Sequence, residues 1–276
     1  MAQRILTLSS YLFRRLLFSL SGALYILLSL VFWRIFFDPA QLTPEVDYYI
    51  LVIGLFGATL SFLITLSLAA RAHQAVNYPL LARLSSRVEH LTAVLLSALF
   101  FTLLLQGVVA VLATFRGPVF SFGRLLEVPP LWLSVNILAA VLALHASDLV
   151  TTGWSRVYVF GLLAILLFAR GINASTAERL SGRITSLSSW FFRQGWSGIG
   201  DLFSSLSRWL AASGSNTLGN IFGIVFWPFE AISEAVISGR FRPAQALAPA
   251  IILLYATILF LLAADLFAEK DLFLTE

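Results

Sequence analysis

Few side chains in this sequence are equipped for chemistry, and their types and spacing narrow what that chemistry is. The histidines are His73, His90 and His145. None stands three or four residues from another, the interval that puts two ligands on one helix face, so no helix-borne metal site is expected. His145 alone could act as an axial ligand to a haem or a chlorophyll-like pigment; the simpler expectation is a hydrogen-bonded histidine near a membrane interface. Asp148 lies one turn further on, and two ionisable groups one turn apart within an apolar run form a candidate proton relay. Gln106 and Asn136 are the other strongly polar side chains inside long apolar runs, and Gln106 is expected to face a neighbouring helix rather than a substrate.

The absences carry as much information. Lysine occurs once, at Lys270, and Asp271 follows it where a Walker A loop needs Ser or Thr. There is no cysteine, hence no disulfide, thiolate metal site or cysteine nucleophile. No serine sits in a Gly-x-Ser-x-Gly elbow, no carboxylate pair falls within an apolar run, and no glycine-rich phosphate loop is present. The chain is therefore not expected to be a self-contained enzyme, and neither cofactor nor metal is expected.

These few groups need elements to position them, and composition says which. The 276 residues are 59% hydrophobic and 12% charged, with mean hydropathy +0.90, whereas a soluble domain carries roughly a quarter charged residues. The sequence predicts an all-α fold: a polytopic membrane helical bundle of about six transmembrane helices, with interfacial amphipathic helices and a re-entrant segment before the last span. A net charge of +4 and a pI near 9.8 then reflect arginines facing lipid headgroups, and no nucleic acid is expected as a partner.

Residues 1–15 predict an N-terminal interfacial helix, with Ile5, Leu8, Leu12 and Phe13 near one face. The transmembrane domain follows over 16–276, with spans at about 16–37, 48–70, 91–115, 131–150, 157–169 and 246–264. Trp33 and Arg34 are placed to reach the headgroups at the far end of the first span. Gly54, Gly57, Ala58 and Ser61 put small residues at three- and four-residue spacing in the second, where another helix could approach closely. Arg116 to Pro130 reads as a loop. The fifth run is short enough to be a tilted span or a re-entrant piece. In 170–243, Ile184, Leu187, Trp190, Phe191, Ile199, Leu202, Phe203 and Leu206 recur at helical intervals, as in helices lying in an interface. A second apolar piece, Leu218 to Phe229, is too short to cross and could dip into the bilayer and return.

With the N-terminus inside, six crossings place the basic 71–90 loop inside and the acidic loop Asp38 to Asp47 outside, as the positive-inside rule favours. They also place Arg179, Arg183, Arg193 and Arg208 outside. Without a crossing by the fifth run, 170–243 becomes cytoplasmic and the C-terminus external.

The 71–90 loop is the main polar gap between long apolar runs. Tyr78-Pro79 should break one helix, and Leu80, Leu81, Leu84 and Val88 recur at helical spacing to start a short amphipathic one. Leu80-Leu81-Ala82-Arg83-Leu84-Ser85-Ser86-Arg87 resembles the Leu-Leu-x-x-Pro-hydrophobic-Ser-Arg run that leads permeases of the ABC-2 class of ATP-binding-cassette exporters into their third span, with Leu84-Ser85 where the family usually has a proline. The order of parts is similar to that family, and so is the ending from Trp227-Pro228-Phe229-Glu230 through the last span to Ala264-Asp265-Leu266-Phe267-Ala268-Glu269. The resemblance implies a multi-pass subunit of a bacterial cytoplasmic membrane with its N-terminus inside. It implies a second permease copy, identical or similar, enclosing a path for an apolar or amphipathic substrate. It also implies a separate ABC ATPase subunit that takes 80–87 as a coupling helix, with Leu81 and Leu84 filling its groove and Arg83 and Arg87 pairing with its acids. The bland alternative for those arginines is headgroup contact with membrane lipid. The competing function is a structural integral-membrane subunit scaffolding a respiratory or photosynthetic complex. A proton-coupled carrier using His145 and Asp148 would lack the inverted repeat common in such folds.

Overall fold

A computed structural model describes residues 2–37, 45–72, 86–115, 117, 121–150, 160–161, 174–209, 215–238 and 245–269. Among them the elements are helical: α1 (Ala2–Leu17), α2 (Leu20–Phe36), α3 (Val46–Ala72), α4 (Arg87–Thr114), α5 (Phe122–Ala146), α6 (Ala174–Arg193), α7 (Ser197–Trp209), α8 (Ser215–Ile237), a 3-10 turn (Gln245–Leu247) and α9 (Ala248–Glu269). Two compact units form, one of Met1–Val157 with Pro228–Glu276 and one of Tyr158–Trp227.

In the first unit, α3, α4, α5 and Gln245–Glu269 are long and apolar enough to cross a membrane; the bent pair α1 and α2 makes a fifth if it is one span. Leu24, Leu27 and Val31 on α2, Phe100, Leu104 and Val108 on α4, and Leu254, Ile258 and Leu261 on α9 are all exposed. That much uncovered apolar surface on long helices fits a hydrocarbon solvent and would aggregate in water. Helix α4 is central, with half of its most apolar window buried, against 28% for α9 at the periphery. It packs on α1, α2, α3, α5 and α9.

The amphipathic start behaves as its pattern requires. Leu8, Leu12 and Leu16 are buried, and the apolar face lies on α4, where the Phe13 ring sits edge-on to Phe100 at 5.1 Å and Phe101 at 5.9 Å. The Ser97 hydroxyl donates to the Ser9 carbonyl at 3.0 Å. A 70° bend separates α1 from α2, so Leu16 and Leu17 end the first helix instead of starting the span. At the corner the Ser19 hydroxyl accepts from the Gly22 amide at 3.2 Å, an N-cap for α2. Helix α2 then runs antiparallel to α3: the Tyr25 hydroxyl donates to the Leu63 carbonyl at 3.1 Å, Phe32 stacks on Phe56 at 4.0 Å, and the Tyr48 hydroxyl donates to the Phe36 carbonyl at 3.3 Å. Trp33 was expected at the headgroups, yet its indole Nε1 is buried and has no hydrogen-bond partner among the described residues.

Other boundaries shift for local reasons. Helix α4 begins at Arg87, not Leu91, because the Ser86 hydroxyl caps it by accepting from the Val88 amide. Helix α5 begins at Phe122, nine residues before the expected span, with Pro129 and Pro130 inside it. Each proline removes one helical hydrogen bond. The carbonyls released are those of Leu125 and Leu126, both exposed residues, while the Ser121 cap and the Arg124–Glu127 pair hold the first turns. The apolar piece Leu218 to Phe229 lies within one continuous helix that runs on to Ile237. The expected span 157–169 lies outside the described residues apart from 160–161.

The second unit contains the α6–α7 hairpin. Gly195 takes φ +79°, and the bonds Gly195 N to Phe192 O and Trp196 N to Phe191 O close α6 in the left-handed manner that glycine permits. The seam between the two helices combines polar and aromatic contacts: Thr185 and Ser207 share a hydrogen bond at 2.7 Å, the Ser188 hydroxyl donates to the Gly200 carbonyl at 2.8 Å, and Phe191 stacks on Phe203 at 5.3 Å. Leu187, Trp190, Trp196 and Leu202 are exposed.

A side chain at Gly22 would collide with the Leu16 carbonyl. Gly22→Val should therefore cost about 1–3 kcal/mol and open the corner. Hydrogen exchange should show α1 losing protection while α5 and α9 keep theirs.

Candidate functional site

The interior of the first unit is assembled around amides. Gln106 on α4 donates through Nε2 to the Ile53 carbonyl on α3 at 3.1 Å. Asn136 on α5 donates through Nδ2 to Gln106 Oε1 at 2.6 Å, and the Ser61 hydroxyl on α3 donates to the Asn136 carbonyl at 2.7 Å. Three helices thus meet through one continuous set of hydrogen bonds, and all three side chains are buried. The approach is close because the small residues of α3 face it. A Cβ at Gly57 would run into the Gln106 amide, and one at Gly54 would come within 2.9 Å of Trp132 Nε1, which itself donates to the Ile50 carbonyl at 2.9 Å. Three further acceptors extend this polar seam: Asn136 Oδ1, Thr102 one turn from Gln106, and Thr65 one turn from Ser61. All are buried without a hydrogen-bond partner among the described residues.

The two ends of the bundle differ in charge. At one end the 71–90 loop leaves α3 and enters α4. Arg71 donates to the Ser21 hydroxyl on α2. Arg87 donates to the Phe267 and Ala268 carbonyls at 3.4 and 3.3 Å, capping the C-terminus of α9 where a cation complements the helix dipole. Glu89, buried in the first turn of α4, lies 4.0 Å from the Arg4 guanidinium. Of the residues expected to form a coupling helix, Leu80, Leu81, Arg83 and Leu84 lie outside the described residues. Arg87 is engaged within the chain, and so is not simply a surface charge offered to a partner. His73 also lies outside the described residues. His90 is buried at the start of α4, and neither of its ring nitrogens has a hydrogen-bond partner among the described residues.

At the opposite end Arg124 is nearly enclosed, its side chain 13% exposed. It donates to Asp47 Oδ1 at 2.8 Å, to Glu127 Oε2 at 3.1 Å and to the Val236 carbonyl at 3.2 Å, joining the starts of α3 and α5 to the end of α8. The sequence reading passed over Arg124 as a loop residue; its i, i+3 spacing to Glu127 was the available signal.

His145 and Asp148 stand in different settings. The His145 ring is fully buried and its Nε2 is within 2.8 Å of the Leu259 carbonyl on α9. Asp148 stands beyond the end of α5 and is exposed. Among the described residues, no group of three or more His, Cys, Asp or Glu side chains comes together to hold a metal ion.

Family models, curated proteins and solved structures yield no match to this chain. The fold itself defines the class: a helical, multi-pass membrane protein with a buried amide seam, clamped by Arg71 and Arg87 at the α3–α4 loop end and by Arg124 at the other.

Interhelical hydrogen bonds within membranes contribute about 0.6 kcal/mol on average and up to about 1.7 kcal/mol. Gln106→Leu and Asn136→Leu should each destabilise the folded chain in detergent by about 1–3 kcal/mol, because each leaves a buried amide without its partner. The double variant should lose less than the sum, by about 1 kcal/mol. Strict additivity in urea or SDS titration would show that the two side chains are not coupled.

Proposed function

We propose that this chain is the membrane-spanning permease subunit of an ATP-driven exporter of the ABC-2 class. It acts with a second permease copy and with an ATPase subunit that docks on the 71–90 loop at the inner face of a bacterial cell membrane. The chain hydrolyses no ATP itself; the partner does.

The observation that carries this reading is the anchoring of the helices on either side of the loop. Arg71, at the end of α3, binds α2, and Arg87, at the start of α4, binds α9. A force applied to the loop therefore reaches four helices at once, which is what a coupling segment has to do. The charge distribution supports the orientation. Arg4, Arg14, Arg15, Arg71 and Arg87 belong to α1 and to the loop end, against Arg34 and Arg124 at the other among the described residues.

Parity supports six crossings. Contacts of α5 with α3 run in register at Arg124–Asp47, Trp132–Ile50 and Asn136–Ser61, so the two helices are parallel. His145–Leu259 and Arg87–Phe267 bring the C-terminus of α9 to the same end as the loop. Between the loop and that C-terminus, α4, α5 and α9 supply three crossings. We count one further crossing between Ala146 and Gln245, which brings the two ends into agreement with six.

Purification of the tagged chain from its native membrane in gentle detergent should bring down an ABC ATPase in stoichiometric amount. Leu81→Glu combined with Arg83→Glu should abolish that association and leave insertion and folding intact. Arg87→Glu is expected instead to loosen α9, since it removes the cap on Phe267 and Ala268. Unchanged association in the Leu81→Glu, Arg83→Glu variant would overturn the docking assignment. Recovery of redox or pigment-binding subunits in place of an ATPase would favour the scaffold.

A further inference from the structure

Between α3, α5 and the second half of α8 lies a lateral cleft of about 310 Å³, walled by Leu51, Gly54 and Ala58, by Trp132 and Val135, and by Phe229. Its size matches the lower end of small-molecule sites, which run to roughly 300–1,000 Å³. Its walls offer nothing to a polar guest. The Trp132 indole is spent on the Ile50 carbonyl, and the Ser233 hydroxyl donates to the Phe229 carbonyl at 2.9 Å.

The end of the cleft nearest the starts of α3 and α5 is walled by Ile50, Leu131 and Val236, all buried, and a charged cluster lies one turn beyond them. Ile50 and Leu131 stand one helical turn from Asp47 and Glu127. Val236 gives its carbonyl to Arg124. Two carboxylates share that one guanidinium, each through a single oxygen, so among the described residues the cluster carries a net negative charge. The carbonyls at the C-terminal end of α8 add the negative pole of a helix dipole. Both carboxylates remain about one-third exposed, with side-chain values of 36% and 37%.

We infer that this cleft binds an amphiphile with a positively charged head, its apolar tail between α3, α5 and α8 and its cation beside Asp47 and Glu127. An apolar slot alone would accept any acyl chain. The charged cluster selects among them, because among the described residues there two carboxylates share one guanidinium and would repel an anionic head. As the cargo of an exporter, the amphiphile rests on the permease reading. Its binding requires no ATPase and is tested without one.

The test uses the full chain in phosphatidylcholine nanodiscs. Two photoreactive probes share one diazirine-bearing alkyl chain, one ending in trimethylammonium and the other in sulfate. The ammonium probe should label saturably the peptides containing Leu51–Ala58, Leu131–Val135 and Phe229–Val236, and unlabelled alkyltrimethylammonium should compete. The sulfate probe should label these peptides about tenfold less at equal concentration, equivalent to about 1.4 kcal/mol. Ala58→Phe and, on the other wall, Ser233→Phe should each fill the cleft and reduce labelling several-fold. Glu127→Gln should raise the half-saturating ammonium concentration while leaving sulfate labelling unchanged or higher.

Equal labelling by the two probes, labelling that rises without saturation as for annular lipid, or indifference to both phenylalanine variants would overturn the proposal. So would unlabelled cleft peptides, the result expected if a second copy of the chain already fills the groove. None of these outcomes bears on ATPase association, and failure of that association leaves the labelling result standing.

Discussion

Within a bilayer a leucine gains nothing by turning from lipid to protein, so helices there associate through close packing and hydrogen bonds rather than through the exclusion of water. The Gln106–Asn136 amide pair meets that constraint in this chain. One amide hydrogen bond joins α4 to α5 and another joins α4 to α3, while the Ser61 hydroxyl closes the third side. Directional bonds fix the register of three helices in a way that interchangeable leucines cannot. Gly54 and Gly57 are the steric counterpart, since any side chain there would displace the Trp132 or Gln106 groups that make those bonds. The outward leucines and phenylalanines of α2, α4 and α9 follow from the same constraint, because they are at home in lipid.

Charge organises what lies beyond the seam. Arginine is the only abundant cation in this sequence, and three arginines are used as clamps: Arg71 on α2, Arg87 on the end of α9, and Arg124 on Asp47, Glu127 and α8. Each joins an element to another that is far away in sequence. In Arg87 the guanidinium satisfies two carbonyls that the last turn of α9 would otherwise leave open. The stem of such a side chain lies along apolar surface while its head reaches a polar partner, which suits arginine to the membrane boundary.

Much of this was legible from residue type and spacing, and the failures have a common cause. The small-residue stripe at Gly54, Gly57 and Ser61, the inward role of Gln106, and the amphipathic face of Leu8 and Leu12 depend on local periodicity, and the structure places them accordingly. The resemblance implied an ATPase's acids for Arg87, with lipid headgroups as the alternative; its bonds to residues 180 positions further on lie beyond any local pattern. Trp33 was assigned by type to the interface, yet packing buries its indole nitrogen. Arg116 to Pro130 was read as a loop, yet Pro129 and Pro130 lie inside α5, as Pro228 lies inside α8. Proline forbids one backbone hydrogen bond, not a helix, and where packing and caps support the flanking turns the helix continues. His145 was legible as polar and buried but not as the partner of α9, because spacing along α5 says nothing about which carbonyl of another helix lies opposite.

On the permease reading, α3 is the element through which the loop and the cleft communicate. Its 27 residues make a rod of about 40 Å at about 1.5 Å per residue. Arg71 stands at one end, Leu51 and Gly54 line the cleft toward the other, and Gly57 and Ser61 hold the middle against Gln106 and Asn136. Sliding α3 along α5 would break the hydrogen bond of Ser61 and the contact of Gly57 with the Gln106 amide together. Rocking about them would break neither. On that reading the polar seam would serve as a fulcrum, a push on α3 at the loop end being returned with opposite sense at the cleft. Asp47 and Ile50 also hold α3 to α5, so the bonds that specify the bundle would also decide which motion it can make.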